Sequence, residues 1–355
     1  YRDNIIKPRK NVMIKHFNDF FTDIKKLKKV LFEPTSTPFI LKKKIIGQRI
    51  KSEEISNPIS LLKAMKNPIE LKGSIKSHEK DGVALLRFIR WLKSKKIEGL
   101  DEITLVKKLE KLRKFEASFF YNSFDTISAA GSNEAITHYR VSPKSNKKIK
   151  TSELILVDSG GQYLEGTTDV TRTFIKGRAL TEHKFLYTKV LQGLICLSKL
   201  RWPAGLTGKE LDPLARHFLW EHSLDYDHGT GHGVGVFSNV HQGPQGITRI
   251  NTVPLEPGMI LSIEPGIYLE GKLGIRLENL VYVKRKSTHS EQKKEFLEFE
   301  TLTLAPFEKN LIEKKLLSQE ELIWLNSYHR NIDRKLRPFL SDTEKTWLRE
   351  TCKAL

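Results

Sequence analysis

The stretch LILVDSGGQYLEGTTDVTRTF, residues 154–174, is where the fold is decided. Leu154 to Val157 read as an apolar strand that delivers Asp158 at its end, a glycine-containing turn follows, and a second strand is expected to begin at Asp169. A hairpin of this kind brings two carboxylates, eleven positions apart, to the same end of a sheet. Two anions held that close repel each other unless a cation sits between them. A pair of turn-forming aspartates that never meet is the other reading open at this point.

Two further strands add acids. In MILSIEPG, residues 259–266, an apolar run ends in Glu264, and in GIRLENLVYV, residues 274–283, Glu278 interrupts an apolar strand. Glutamate is rarely buried unpaired, so both want a partner. Alternation places Arg276 and Glu278 on one face, which leaves a plain ion pair as the alternative for Glu278; no such neighbour is visible for Glu264. Between these segments lies DYDHGTGHGVGVFSNVHQGP, residues 225–244, with His228, His232 and His241 among glycines 229, 231, 233 and 235. So much glycine gives up side-chain packing for backbone freedom and close approach. Four carboxylates and His232 form an oxygen-rich set suited to a pair of Mn, Co, Zn or Fe ions with bridging carboxylates.

Around this core the pattern organises the chain. The apolar spacing of 11–30 predicts a helix, and VLFEPTSTPFIL, residues 30–41, reads as strand, turn, strand. Pro58 and Pro68 punctuate the next stretch, and a domain boundary is placed near residue 66. Basic amphipathic helices are predicted near 74–96 and 103–119, strands and loops over 124–178, and a long helix over 180–200 with Thr181 as its N-cap. The segment 207–224 offers two helix starts, the capping box Thr207/Glu210 or Asp212 followed by Pro213, and the second is favoured because Pro inside a helix is costly. Two helices are predicted beyond 306, the second opened by the capping box Ser341/Glu344.

Composition bounds the class. The 355 residues are 39% hydrophobic and 29% charged, ordinary for a globular chain, and no apolar run has the length of a membrane span. Residue 1 is Tyr and no apolar signal region follows it, so the sequence reads as a fragment or processed form. Only Cys196 and Cys352 occur, without metal or disulfide spacing, which points to a reducing compartment. The net charge of +19 is uneven: residues 1–150 carry 34 Lys+Arg against 16 Asp+Glu, residues 151–355 carry 27 against 26. The excess is lysine spread along helical segments such as IKKLKKV (24–30) and WLKSKK (91–96), with few aromatics and no nucleic-acid motif, so it is read as a solvated face and no nucleic-acid or membrane partner is expected.

The succession LVDSG, TTDVTRTF, HGTGHGVG, NVHQGP, SIEPG and GIRLEN closely resembles the metallopeptidases of the pita-bread fold, and among them the aminopeptidase P (Xaa-Pro aminopeptidase) family in its longer, three-domain, cytosolic form. FDTISAAGSNEAITHY, residues 124–139, is similar to the family segment that supplies a substrate-side histidine, here His138, and the tail from LTLAPFE (302–308) is similar to that form's C-terminal helical extension. The resemblance implies an α+β fold, a curved antiparallel sheet flanked by helices, over 67–305, preceded by the C-terminal part of an α/β linking domain in 1–66 and followed by a helical extension in 306–355. It implies that Asp158, Asp169, His232, Glu264 and Glu278 bind two divalent ions, Mn2+ with Co2+ or Zn2+ as alternatives, with Asp169 and Glu278 bridging. It implies substrate contacts from His138, His228, His241 and Arg276, and a catalytic set of Glu264 as proton shuttle with His241, His228 and His138. The implied reaction is attack by a metal-activated hydroxide on the bond between an N-terminal residue and a penultimate proline. A cytoplasmic homodimer acting on such peptides completes the expectation. Gln242 stands where some relatives carry an acid, and an upstream part of the longer form is missing. The alternatives are a prolidase, against which HGTGHGVG and the tail argue, and a pita-bread binding module that has lost catalysis.

Overall fold

The computed structural model describes residues 13–47, 50–286 and 294–355. It divides into two compact units, Tyr1–Leu61 and Leu62–Leu355, so the division falls a few residues ahead of the boundary expected at 66.

In the smaller unit, β1 (Lys29–Phe32) and β2 (Lys51–Glu54) pair in parallel through α1 (Phe39–Gly47), around a small core of Ile24, Phe32 and Ile45. The long helix expected over 11–30 is absent among the described residues, and residues 11 and 12 lie outside them. Short turns at Phe17–Asp19, Phe20–Asp23 and Ile24–Lys26 take its place. Leu27 leaves helical geometry, which lets Val30 and Phe32, good strand residues, pair with β2. The segment read as the second strand of a turn is instead α1, entered straight after Pro38, whose fixed φ suits a helix start.

The larger unit opens with α2 (Pro68–Ser94), which starts earlier than the expected 74 because Asn67 accepts the N–H groups of Ile69 and Glu70 while Glu70 returns to the Asn67 N–H, with Pro68 in the first turn. Helix α3 (Glu102–Arg113) is capped by Asp101 and ends short of 119, where the chain enters β3 (Phe119–Asn122) and β4 (Ile127–Ala130). Strand β5 (Leu154–Ser159) is buried at every position. The excursion after it forms β6 (Gly161–Tyr163) and β7 (Gly166–Thr167), and β8 (Val170–Ile175) then returns antiparallel to β5, with Asp158 opposite Thr171. The expected hairpin is therefore present, but its turn is itself a small sheet, β3-β6-β7, and Asp169 stands one residue ahead of β8. A buried pair underlies this turn: Asp81 of α2 accepts from Arg113, Tyr163 and Thr168 at 2.7, 2.8 and 3.0 Å.

Helix α4 (Thr181–Ser198) has Leu180, not Thr181, at its N-cap and no side-chain cap bond. Its inner face (Leu186, Val190, Leu194, Ile195) enters the main core. After β9 (Arg201–Pro203), α5 (Gly208–Trp220) begins at the Thr207/Glu210 capping box, so the disfavoured start is the one adopted and Pro213 lies inside the helix. Tertiary packing decides this. Gly208 lets the helix lie against the backbone at Gly246, where an added Cβ would sit 1.8 Å from the Gly246 carbonyl oxygen, and Asp212 is spent on a buried partner instead of a cap. Strands β10 (Gly231–His232) and β11 (Gly246–Ile247) pair, β13 (Gly266–Leu269) and β14 (Leu273–Arg276) form a hairpin, and β12 (Ile260–Ile263), β15 (Asn279–Lys286), β16 (Phe296–Thr301) and β9 make a sheet in the order β12-β15-β16-β9. The tail helices α6 (Gln319–Leu336) and α7 (Asp342–Thr351) start at the Ser318/Glu321 and Ser341/Glu344 boxes. Their Leu325, Ile332, Leu336 and Leu348 belong to the same core as Leu194 and Val281. Helices packed against antiparallel strands make the unit α+β. Both cysteines are free, and no helix among the described residues is long and apolar enough to cross a membrane.

Candidate metal centre

Five chain segments end at one place. Strand β5 delivers Asp158, the residue before β8 is Asp169, β10 ends in His232, Glu264 follows β12, and Glu278 fills the break between β14 and β15. All five line a cleft of about 450 Å³. One ligand atom each from Asp169, His232 and Glu278 lies within 4.8 Å of the other two. His232 Nε2 is 3.5 Å from Asp169 Oδ2 and 3.4 Å from Glu264 Oε1. Both aspartates line this one cleft.

Each donor is oriented by a neighbour. His232 Nδ1 is 3.0 Å from the Gly233 carbonyl; a carbonyl only accepts, so Nδ1 carries the hydrogen and the Nε2 lone pair faces the carboxylates. Ser262 accepts the His232 N–H at 2.9 Å and donates to Glu264 Oε1 at 2.9 Å, so one hydroxyl spaces both residues. Thr171 donates to Glu278 Oε2 at 2.8 Å, and Arg276 Nη2 donates to Asp158 Oδ2 at 2.7 Å. The plain ion pair left open as the alternative for Glu278 is not the one formed: β14 ends at Arg276, whose guanidinium pairs with Asp158.

The electrostatics call for a cation. Burial, with repulsion from Asp158 and Glu264, raises Asp169 well above the usual carboxylate range, and burial with repulsion from Asp169 and Glu264 does the same to Glu278. Burial also pushes Glu264 upward, but His232, His228 and Arg276 outweigh it and its pKa is lowered. Among the described residues, Asp158 Oδ1 and Glu278 Oε1 are buried without a hydrogen-bond partner. Unpaired carboxylate oxygens in a mutually repelling group fit divalent metal, which takes such oxygens as ligands and cancels the repulsion.

The other predicted residues line the same cleft. His138 and His241 are exposed on its wall, and the His241 ring centroid is 4.0 Å from that of His232. Partial burial of its ring lowers the pKa of His241, favouring the neutral form. His228 differs from the expectation of a free donor: Nδ1 is 2.8 Å from the Gly229 carbonyl and Nε2 is 2.9 Å from Tyr268 Oη. Tyr268 also accepts from Arg276 Nη1 at 2.7 Å, so its own proton points to His228. Tyr268, Ser262 and Thr171 escaped the sequence reading. Hydroxyls inside strands carry no pattern of their own; the one available signal was that Tyr268 lies two residues beyond Gly266, on the strand that directly follows Glu264.

Residues 74–285 match the model of metallopeptidase family M24, and residues 295–355 match the C-terminal region of peptidase M24. The chain is 42% identical over 361 residues to a probable Xaa-Pro aminopeptidase P of Aspergillus flavus, covering 96% of this chain and 55% of that one. Its structure is similar to the X-prolyl aminopeptidase of Caenorhabditis elegans, described as a cytosolic enzyme with a di-nuclear active site, with a TM-score of 0.88 and 34% identity over 96% of this chain and 57% of that one. It is also similar to a prolidase from Thermococcus sibiricus, with a TM-score of 0.66 and 32% identity over 82% of this chain and 75% of that one. The chain spans little more than half the length of the aminopeptidases it matches.

Proposed function

Since the chain belongs to metallopeptidase family M24, we propose that it hydrolyses the peptide bond between an N-terminal residue and a penultimate proline. The observation that carries this is the convergence of Asp169, His232 and Glu278 within 4.8 Å, in a cleft shared with Asp158 and Glu264. Proline specificity is supported by the names of the relatives, and the aminopeptidase over the prolidase by the larger TM-score and coverage.

Asp158, Asp169, His232, Glu264 and Glu278 would hold two divalent ions. Four carboxylates make a hard, oxygen-rich set, which favours Mn2+ over softer choices, with Co2+ and Zn2+ as alternatives. When bound, the pair supplies a hydroxide nucleophile near neutral pH and polarises the scissile carbonyl. The ionised Glu264 carboxylate takes up the proton given off by the attacking water and returns it to the proline nitrogen as the bond breaks. Neutral His241 donates a hydrogen bond to the carbonyl oxygen as negative charge grows there. His138, exposed on the cleft wall, holds the substrate backbone, and Arg276 orients Asp158 through its hydrogen bond to Oδ2. A cytosolic location and a homodimer complete the reading, the first supported by the description of the nematode relative; light scattering showing only monomer would remove the second.

The test is product analysis after Mn loading, with an Xaa-Pro-Pro tripeptide, an Xaa-Pro dipeptide and a Met-Ala peptide side by side and Glu264→Gln as control. Release of the first residue from the tripeptide is expected, reduced by roughly 10²–10⁴ in the control. Cleavage confined to the dipeptide moves the reading to prolidase. A folded, metal-loaded protein that cleaves none of them either needs the part that its longer relatives carry or is a binding module.

A further inference from the structure

Behind the cleft wall that carries His228 lies a buried assembly that the proposed chemistry does not use. Asp212 and Arg216, one turn apart on α5, are 0% and 1% exposed. The guanidinium makes five hydrogen bonds. Nε and Nη2 donate to the two Asp212 oxygens at 2.7 and 3.2 Å, Nη1 donates to Asp225 Oδ1 at 2.8 Å and to the Tyr226 carbonyl at 2.6 Å, and Nη2 donates to the His228 carbonyl at 2.7 Å. Two of the five thus go to backbone carbonyls of the loop that bears the histidine.

The same groups are stacked. The Arg216 guanidinium carbon lies 3.9 Å from the centre of the Tyr226 ring, and the other neighbour of that ring is the His228 imidazole, with centroids 4.8 Å apart and planes 36° apart. Tyr226 Oη is 2.6 Å from Thr230 Oγ1, which donates to Asp212 Oδ1 at 2.7 Å. Since the Thr230 proton goes to the carboxylate, the Tyr226 proton goes to Thr230, and the chain of bonds closes on Asp212. On its far side His228 meets Tyr268, whose ring stands edge-on at 5.4 Å.

These contacts converge on one ring, the His228 imidazole. A carbonyl can only accept, so the Gly229 contact puts the hydrogen on Nδ1, and Tyr268 donates to Nε2. We propose that Arg216 is a positioning residue: through the Tyr226 stack and the carbonyls of residues 226 and 228 it holds His228 as the Nδ1–H tautomer with Nε2 toward Tyr268. The pose matters for substrate only if the peptidase reading holds, and that part rests on it; the pose itself does not. Thr230 extends the effect, because its carbonyl accepts the Glu264 N–H at 2.7 Å.

The experiment uses the full chain, labelled with ¹⁵N-histidine and kept metal-free, with the His228 signals assigned from a His228→Gln spectrum. In the parent chain His228 should show a protonated Nδ1 and an unprotonated Nε2. Arg216→Met and Tyr226→Leu should each move both signals toward the average of the two tautomers and raise amide exchange over residues 226–231 at least tenfold, whereas Tyr226→Phe, which keeps the stack, should leave the tautomer in place. Arg216→Lys, which keeps a cation beside Asp212 but cannot reach both carbonyls, serves if the Met variant does not fold. Loss of thermal stability with His228 signals unmoved, in either the Arg216 variant or Tyr226→Leu, would overturn the proposal and leave Arg216 a purely structural residue. With Mn added, the Arg216 variant should raise KM for the tripeptide about tenfold (~1.4 kcal/mol) without changing the number of bound ions. If the parent chain cleaves nothing, the peptidase reading falls, and the nitrogen signals still decide the role of Arg216.

Discussion

Glu278 is the residue at which stability and metal binding are most directly opposed. It is 1% exposed, one oxygen is satisfied by Thr171 and the other by nothing among the described residues. Burial and the neighbouring Asp169 and Glu264 raise its pKa, and Asp169 is raised in the same way. A carboxylate whose folded pKa lies above its unfolded one contributes stability at low pH that is lost as pH rises through the folded value. The metal-free protein should therefore weaken as pH climbs above the ordinary carboxylate range, and added Mn should stabilise it far more at pH 8 than at pH 5.5. Glu278→Gln keeps the Thr171 contact and removes one charge. It should melt higher than the parent without metal at pH 8 and lose most of the Mn-dependent gain, which for a ligand at a hundred times its Kd is about 2.7 kcal/mol. Melting curves with chelator and with Mn test this, and an undiminished Mn effect in the variant would remove Glu278 from the ligand set. The acids were legible in the sequence because a charge at the end of an apolar run has few innocent explanations. Tyr268 and Ser262 were not, because a hydroxyl in a strand is unremarkable until its partner in three dimensions is known. Gln242, the departure from some relatives, donates to Ser238 Oγ at 3.0 Å and so braces the loop between His232 and His241.

At the scale of elements, the histidine loop works because its backbone lies directly on β12. An added Cβ at Gly231 would stand 2.0 Å from the Ser262 carbonyl oxygen, and Ser262 is the residue that spaces His232 from Glu264. Gly231→Ala must push β10 away from β12. The expected result is a loss of about 1–3 kcal/mol, the range for forced overpacking, together with a fall of at least tenfold in Mn affinity. Chemical denaturation and a Mn titration followed by electron paramagnetic resonance separate the two, and an alanine variant that binds Mn as the parent does would show that the close approach has no bearing on the site. The glycines were readable as backbone approach, but what approached was not. The same limit accounts for the helix starts. Local rules offered α5 two openings and weighted Pro213 against the first, whereas packing of Gly208 on β11 and burial of Asp212 with Arg216 selected it. The helix expected over 11–30 failed in the opposite sense, since its apolar spacing was real but Val30 and Phe32 were drawn into the parallel pairing with β2.

Across the larger unit, the tail is tied to the metal centre through one buried cation. Arg172 of β8 donates to the carbonyl of Glu278 at 2.5 Å, to Asn279 Oδ1 and the Ala305 carbonyl at 2.7 Å each, and to Tyr328 Oη on α6 at 2.9 Å, and it lies 4.2 Å from the Phe307 ring centre. Next to Tyr328, His329 is 0% exposed, and its Nε2 accepts the Phe307 N–H at 3.2 Å. That geometry needs a lone pair on Nε2, so a protonated ring would lose the bond and bury a charge near Lys309 and Arg172. Burial, then those two cations, lowers the His329 pKa to about 3. For a group depressed in the folded state, stability is full above the unfolded pKa, near 6.5 for histidine, and declines as pH falls toward the folded value. Between pH 6.5 and pH 5 the loss is about 2 kcal/mol, at 1.36 kcal/mol per unit. His329→Gln retains an oxygen able to accept from Phe307 and cannot ionise, so it should hold its stability over this range. Urea denaturation of parent and variant at pH 7.5 and pH 5, both with chelator, isolates this residue from every other titrating group through the difference between the two proteins. Equal losses in parent and variant would mean that the tail opens before His329 must protonate. A loss about 2 kcal/mol larger in the parent would mean that α6 stays docked on Arg172 and that His329 supplies that share of the unit's acid sensitivity.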